Sequence, residues 1–140
     1  MKIAVSACLL GENCKYNGGN NFSAALAERL RGYEVIPVCP EKSVFPTPRP
    51  RVERRGDKVF NEFGEDVTAL CSQGVAQCLD SLRTQAVDLV ILQSRSPTCG
   101  VGTVYDGTFS GTLTAGNGLL AEALIRAGYA VLDVADFLAK

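Results

Sequence analysis

Apolar positions follow two spacings along the chain, and the switches between them lay out its elements. Lys2-Ile3-Ala4-Val5-Ser6-Ala7, Tyr33-Glu34-Val35-Ile36-Pro37-Val38 and Val87-Asp88-Leu89-Val90-Ile91-Leu92 are apolar runs too short for helices. Each reads as a strand, the last as one buried on both faces. Between them the helical period takes over. Phe22, Ala25, Leu26 and Leu30 share a face, which predicts a helix over about 22–31, capped by Asn20 or Asn21 and stopped at Gly32. Val67, Leu70, Cys71, Gly74, Val75, Cys78, Leu79 and Leu82 predict a second helix over about 66–83. Leu120, Ala123, Leu124 and Ala127 predict a third, from a cap at Asn117 to a stop at Gly128. Residues 129–132 then read as a last strand, and Asp133 as the cap of a short terminal helix.

Strand, helix, strand in succession implies right-handed parallel crossovers. The expectation is one α/β domain over residues 1–140, with a mostly parallel sheet flanked by helices. Three stretches stand apart from that alternation. Pro46-Thr47-Pro48-Arg49-Pro50 can be neither helix nor central strand and is expected as a stiff, extended loop. It is not a domain linker, because neither flank is long enough for its own core. Residues 51–66 are polar, with a short hairpin around Gly56-Asp57, and 100–118 is a glycine-rich run expected to fold close over something. Within it, Tyr105 to Gly111 also fits a tight hairpin turning at Asp106-Gly107.

Three cysteines share one address. Cys8, Cys39 and Cys99 each lie in the loop after a predicted strand. In open parallel sheets, ligands bind outside the carboxyl ends of the strands, so these thiols can converge at one edge. Histidine is absent, which removes Ser-His and Cys-His nucleophile pairs and imidazole proton transfer. A net charge of −1 gives no electrostatic case for nucleic acid or an anionic membrane, and no apolar run reaches the length of a membrane span. Val5-Ser6-Ala7-Cys8 looks like a lipoprotein cleavage box, but the apolar run before it is too short for a signal peptide. A cytoplasmic protein is therefore expected, and its six cysteines point to metal or catalysis rather than to disulfides.

Cys71 and Cys78 fall on the apolar stripe of the second helix and are assigned to the core. Cys14, in a polar loop, is left open: it could form a redox couple with Cys8, although the spacing is not C-x-x-C. For Cys8, Cys39 and Cys99, thiolate softness selects zinc, copper(I) or iron–sulfur clusters. Three ligands without histidine disfavour a closed zinc site, which takes four. A [4Fe-4S] cluster on three cysteines would leave one iron open. Glu41, two residues past Cys39, is either a surface carboxylate or a group that handles protons. Ser96 and Thr98 could simply close the turn around Pro97. Arg49, Arg51 and Arg95 are either solvated or face a pocket, where they would suit an anion or a planar carbonyl or thiocarbonyl edge. Gly116-Asn117-Gly118, at a helix start, could bind an anion on free N–H groups.

Taken in order, Ser6-Ala7-Cys8-Leu9-Leu10-Gly11, Pro37-Val38-Cys39-Pro40-Glu41, Pro46-Thr47-Pro48-Arg49-Pro50, Ser94-Arg95-Ser96-Pro97-Thr98-Cys99-Gly100 and Tyr105-Asp106-Gly107-Thr108-Phe109 resemble one family along nearly the whole chain. It is a family of small bacterial proteins long catalogued as a domain of unknown function, whose characterised members are thiouracil desulfidases. The resemblance implies a Rossmann-like domain with a [4Fe-4S] cluster on Cys8, Cys39 and Cys99. It implies that the open iron binds the substrate's sulfur while Glu41 and Ser96 assist its removal. The reaction implied converts thiouracil and water to uracil and hydrogen sulfide, so the partner is a small thiolated pyrimidine.

The chain departs from the family pattern at Gln93, where a Lys is common, and at Lys42-Ser43-Val44-Phe45, a shorter segment without a Gly-Gly. Two rival functions remain: a non-catalytic iron–sulfur or zinc module sensing redox state or metal, and a Rossmann-like binder of small anions. An open coordination position with a carboxylate in reach favours the desulfidase. Cys14 as a fourth ligand favours the sensor, and an anion at Asn117 favours the binder.

Overall fold

Residues 1–140 are described by a computed structural model in which four parallel strands form the centre. They are β1 (Lys2–Ser6), β2 (Glu34–Val38), β5 (Leu89–Leu92) and β8 (Val131–Asp133), in the spatial order β2-β1-β5-β8. In β1, Ile3 lies opposite Val35 of β2 and Leu89 of β5, and Val5 opposite Pro37 and Ile91. Pro37 lacks a ladder donor and is tolerated because β2 is an edge strand.

Alternation along the strands sends their side chains to two cores. Ala4, Val90 and Leu92 pack on one face with Val75, Cys78 and Leu82 of α2 (Thr68–Arg83) and Leu120 and Leu124 of α3 (Leu119–Arg126). Ile3, Val5 and Ile91 take the other, under Leu26 of α1 (Ala24–Arg29) and Leu30 just after it, with Phe137 and Leu138 of α4 (Val134–Leu138) alongside. Each fully buried leucine contributes about 1.5–3 kcal/mol. The expected α/β architecture, a parallel sheet flanked by helices, is the one observed.

Several boundaries differ, each for a local reason. Helix α1 starts one turn's half later than expected because Ser23, not Asn20 or Asn21, caps it, its Oγ accepting the Leu26 N–H at 3.1 Å. Phe22 is thereby left outside the helix and exposed. On α2 the buried stripe is Cys71, Gly74, Val75, Cys78 and Leu82; Leu70 sits about 100° round from Cys71 and is exposed. Helix α3 is capped by Gly118, without a side-chain cap, and Asn117 instead accepts the Gly102 N–H at 2.8 Å. Asp133 does cap α4, accepting the Ala135 N–H at 2.8 Å.

Outside the sheet are two hairpins. β3 (Val52–Arg55) and β4 (Lys58–Asn61) turn at Gly56-Asp57, where Gly56 takes φ +61 at the first turn position, as a type II′ turn requires. β6 (Thr103–Tyr105) and β7 (Leu113–Ala115) are joined by a wider loop than the tight turn expected at Asp106-Gly107, closed by Asp106 N–H donating to the Thr112 carbonyl at 3.0 Å. The Pro-rich stretch is irregular, as expected, with a cis Thr47–Pro48 bond. No helix is long and apolar enough to cross a membrane.

Two glycines bring the helices onto the sheet's carboxyl edge. A Cβ at Gly74 would run into the Pro40 carbonyl, so α2 lies directly on the loop after β2. A Cβ at Gly118 would stand 2.8 Å from the Cys99 nitrogen, so α3 starts against the loop after β5.

Candidate functional site

A cavity of about 610 Å³ opens at the carboxyl edge of β1, β2 and β5, within the usual range for small-molecule sites. Cys8, Cys39, Glu41, Ser96 and Cys99 all line it. A 3-10 turn over Ala7–Leu10 carries Cys8, and Gly11 closes it at φ +97. Cys39 directly follows the last residue of β2, and its sulfur accepts the Lys42 N–H at 3.4 Å. Asn21 Nδ2 lies 3.5 Å from the Cys8 sulfur as a donor. Cys99 lies deeper, at the end of the loop after β5.

Cys14 is the residue whose place the sequence left open. It is buried on the cavity wall, and its thiol shares a proton with the sulfurs of Cys39 and Cys8. That hydrogen bond is the largest cause lowering the Cys8 and Cys39 thiols from 9.0 to about 7, against the opposing effect of burial. Cys14 itself is driven upward by holding the proton for both neighbours. Burial pushes the Cys99 thiol up as well. No three Cys, Asp or Glu side chains are close enough together to hold a single metal ion.

The loop after β5 is fixed from both sides. Gln93 N–H donates to Ser6 Oγ at 2.9 Å, and Ser94 Oγ donates to Asp133 Oδ1 at 2.9 Å. Arg95 stands in the left-handed region at φ +67, which a non-glycine side chain rarely adopts. Ser96 Oγ then accepts the backbone N–H groups of Thr98 and Cys99, at 3.2 and 3.1 Å. This is the turn closure expected of Ser96.

Thr98 reaches across to the neighbouring loop. Its hydroxyl donates to Glu41 Oε2 at 2.8 Å, and Arg49 Nη2 donates to Glu41 Oε1 at 3.3 Å. Both carboxylate oxygens of Glu41 are therefore held by donors. The Arg49 side chain is only 3% exposed, and its other Nη bonds go to Thr47 Oγ1, Pro46 O and Cys14 O. Arg49 thus clamps Glu41 and the Pro-rich loop, with its Nε buried and without a partner. Arg95 is exposed at the cavity rim, while Arg51 pairs with Glu62 at 3.4 Å.

Asn117 is not brought to the cavity. Nor is the start of α3 open to an anion, because Leu119 and Leu120 N–H donate to the Pro97 and Thr98 carbonyls at 2.9 and 2.8 Å. The expectation of a ligand at Asn117 is therefore corrected: the amides that would bind it already anchor the cysteine loop. From the glycine-rich stretch, Tyr105 and Gly111 form part of the cavity wall. Glu53, buried beneath, accepts N–H groups from Gly107 and Phe109 at 3.0 and 3.1 Å and ties that stretch to β3. Glu53 and the bridging role of Thr98 were not read from the sequence. The only trace of Glu53 was its inward position in the Val-Glu-Arg-Arg strand.

Parallel strands that deliver three thiols and a clamped carboxylate to one cavity define a small-molecule site of the open α/β type. The chain belongs to the 2-thiouracil desulfurase family, whose profile matches residues 3–136. This is the family whose motifs it resembles. It is 37% identical over 142 aligned residues to the uncharacterized protein YbbK of Bacillus subtilis (strain 168), with 94% of each chain covered. Among solved structures, a [4Fe-4S]-dependent thiouracil desulfidase, TudS, is similar, with a TM-score of 0.89 and 37% identity over 99% of this chain and 95% of that one.

Proposed function

We propose that this protein is a [4Fe-4S]-dependent desulfidase that replaces the sulfur of a thiolated pyrimidine such as 2-thiouracil with oxygen from water, releasing hydrogen sulfide. The observation that carries the reading is the carboxylate of Glu41, clamped by Arg49 and Thr98 in the same cavity as Cys8, Cys39 and Cys99. Family membership and the likeness to TudS support it.

The donor set fits the cofactor. All three ligands would be thiols, no histidine competes, and the donors ring a cavity rather than closing on one ion. Bound there, the cluster would supply a Lewis acid for the substrate's sulfur. The rest falls to the chain. Glu41 takes a proton from the attacking water and returns one to the departing sulfide, since the sequence has no imidazole to do so. Arg49 and Thr98 keep its carboxylate oriented toward the cavity, and Arg95 at the rim faces the incoming base. Exchange of sulfur for oxygen consumes water and needs no reductant.

Anaerobically prepared protein, matched for iron, tests this through loss of 2-thiouracil and formation of sulfide. Glu41→Gln should keep the iron and lose at least about 10² in rate. Turnover of no thiolated base by the wild type would end the reading.

A second reading has one observation behind it. Cys14 stands against Cys8 and Cys39 and could complete a closed, non-catalytic cluster. Loss of iron from Cys14→Ala, together with an inactive wild type, would favour that carrier.

A further inference from the structure

The hydroxyls of Ser96 and Thr98 lie 3.0 Å apart, and geometry alone allows either to donate. Their other partners decide the direction. An ionised carboxylate is acceptor only, so the single hydroxyl hydrogen of Thr98 goes to Glu41 Oε2 at 2.8 Å. Thr98 must then accept from Ser96. Ser96 Oγ, for its part, already receives two backbone N–H groups, from Thr98 and Cys99. Two acceptor sites are thereby filled, and its one hydrogen is spent on Thr98. A contact of Thr98 Oγ1 with the Cys99 sulfur, at 3.9 Å, is too long to compete.

The result is a polarised chain: Ser96 O–H to Thr98, Thr98 O–H to Glu41. It joins the loop after β5, which carries Cys99, to the loop after β2, which carries Cys39 and Glu41. Thr98 is its one crossing point and is 1% exposed. We infer that Thr98 is the positioning residue of the site, setting the facing of the Glu41 carboxylate and committing the Ser96 hydroxyl to the protein rather than to the substrate. This rests on the reading of Glu41 as the group that handles protons. It also revises the part expected of Ser96, which acts on Glu41 through Thr98.

The structure contains the reason that valine is the informative replacement. Val keeps the branched shape of Thr98 in its buried slot and deletes only the hydroxyl. Both neighbours then lose their partner: Glu41 keeps only Arg49, and the Ser96 hydroxyl is free to rotate away from the amides it receives. Serine restores the hydroxyl and deletes only a methyl.

Two measurements on Thr98→Val and Thr98→Ser test the inference. The first is steady-state turnover of 2-thiouracil at matched iron content. Thr98→Val should lose about tenfold or more in kcat with KM little changed, as for an interaction that aligns a reacting group, and Thr98→Ser should recover most of it. The second needs no cofactor: amide hydrogen exchange at residues 98 and 99 in cluster-free protein. Those amides should exchange faster in Thr98→Val and at the wild-type rate in Thr98→Ser. Full kcat in Thr98→Val while Glu41→Gln is inactive would overturn the role of Thr98 and leave that of Glu41. An inactive wild type would overturn the desulfidase reading, and with it any part for Thr98 in turnover. Unchanged exchange at both amides would overturn the hydroxyl chain itself, whatever the activity.

Discussion

Arg49 and Glu41 meet at 3.3 Å, with side chains only 3% and 13% exposed. Two charges so far from water hold together because the guanidinium is also bound by Thr47, Pro46 and Cys14, and the carboxylate by Thr98. Removing one partner leaves the other charge buried and unmatched. Arg49→Met should therefore cost about 3–5 kcal/mol in urea unfolding of the cluster-free protein. A loss below about 1 kcal/mol, the range of surface pairs, would show that solvent reaches the pair.

The six cysteines should separate by position. Cys8→Ala, Cys39→Ala and Cys99→Ala should each abolish iron and sulfide uptake and leave a folded domain, although Cys99 also belongs to the core under α2 and α3 and its loss should cost about 1–2 kcal/mol as a small core deletion. Cys71→Ala and Cys78→Ala should keep the iron and cost about 1–2 kcal/mol as small core deletions. Retention of iron by Cys8→Ala with loss from Cys71→Ala would refute the assignment.

Thiol reactivity in the cluster-free protein should follow the same division. The Cys8 and Cys39 thiols are lowered from 9.0 to about 7, so at pH 7 about half is thiolate, against roughly 1% at the ordinary value. Their alkylation by iodoacetamide should rise with pH through a midpoint near 7 and level off above about 8. Burial lifts Cys71 to about 12 and Cys78 to about 11, so both should stay unlabelled in the folded state. Because the shared Cys14 proton is the main cause of the lowering, Cys14→Ala should move the labelling midpoint upward. Mass spectrometry across pH 6–9 reads all of these.

Gly74→Ala probes how the loop after β2 is seated. The added methyl would collide with the Pro40 carbonyl, and backbone cannot swing aside as a side chain can. Overpacking of this kind costs about 1–3 kcal/mol. The displacement falls on Cys39 and Glu41, so iron uptake should fall more than for Cys78→Ala, which lies further along the same stripe. Equal iron content in the two variants would show that the loop adapts.

What the sequence disclosed tracks how local its signal was. The strand runs ending at Cys8, Cys39 and Cys99 announced themselves through continuous apolar residues, and the carboxyl-edge rule then gathered three thiols at one cavity. The helical stripe through Cys71 and Cys78 placed those two in the core just as directly. Asn117 misled because a polar residue before an apolar helix is a common cap, whereas here the Pro97 and Thr98 carbonyls from a distant loop take the helix amides. Arg49 and Thr98 both act on Glu41 across the gap between two loops, a relationship no spacing in the chain encodes. Cys14 was left open between a redox couple and a fourth ligand for the same reason: its neighbours are set by where a polar loop folds back.

The sheet order has a consequence in time. β1 and β2 pair directly, and both lie within the first forty residues, so Cys8, Cys14 and Cys39 leave the ribosome early. Cys99 follows Cys8 by roughly ninety residues, about 5–20 s of synthesis at typical rates. For roughly the last sixty of those residues, once Cys39 has been made, the nascent chain carries three neighbouring soft donors and no third wall. Only when β5 slots in beside β1 does the last thiol arrive, carried on the same loop as the hydroxyl that grips Glu41. The docking of that single strand thus brings the last cavity thiol and the hydroxyl clamp on Glu41 into place together.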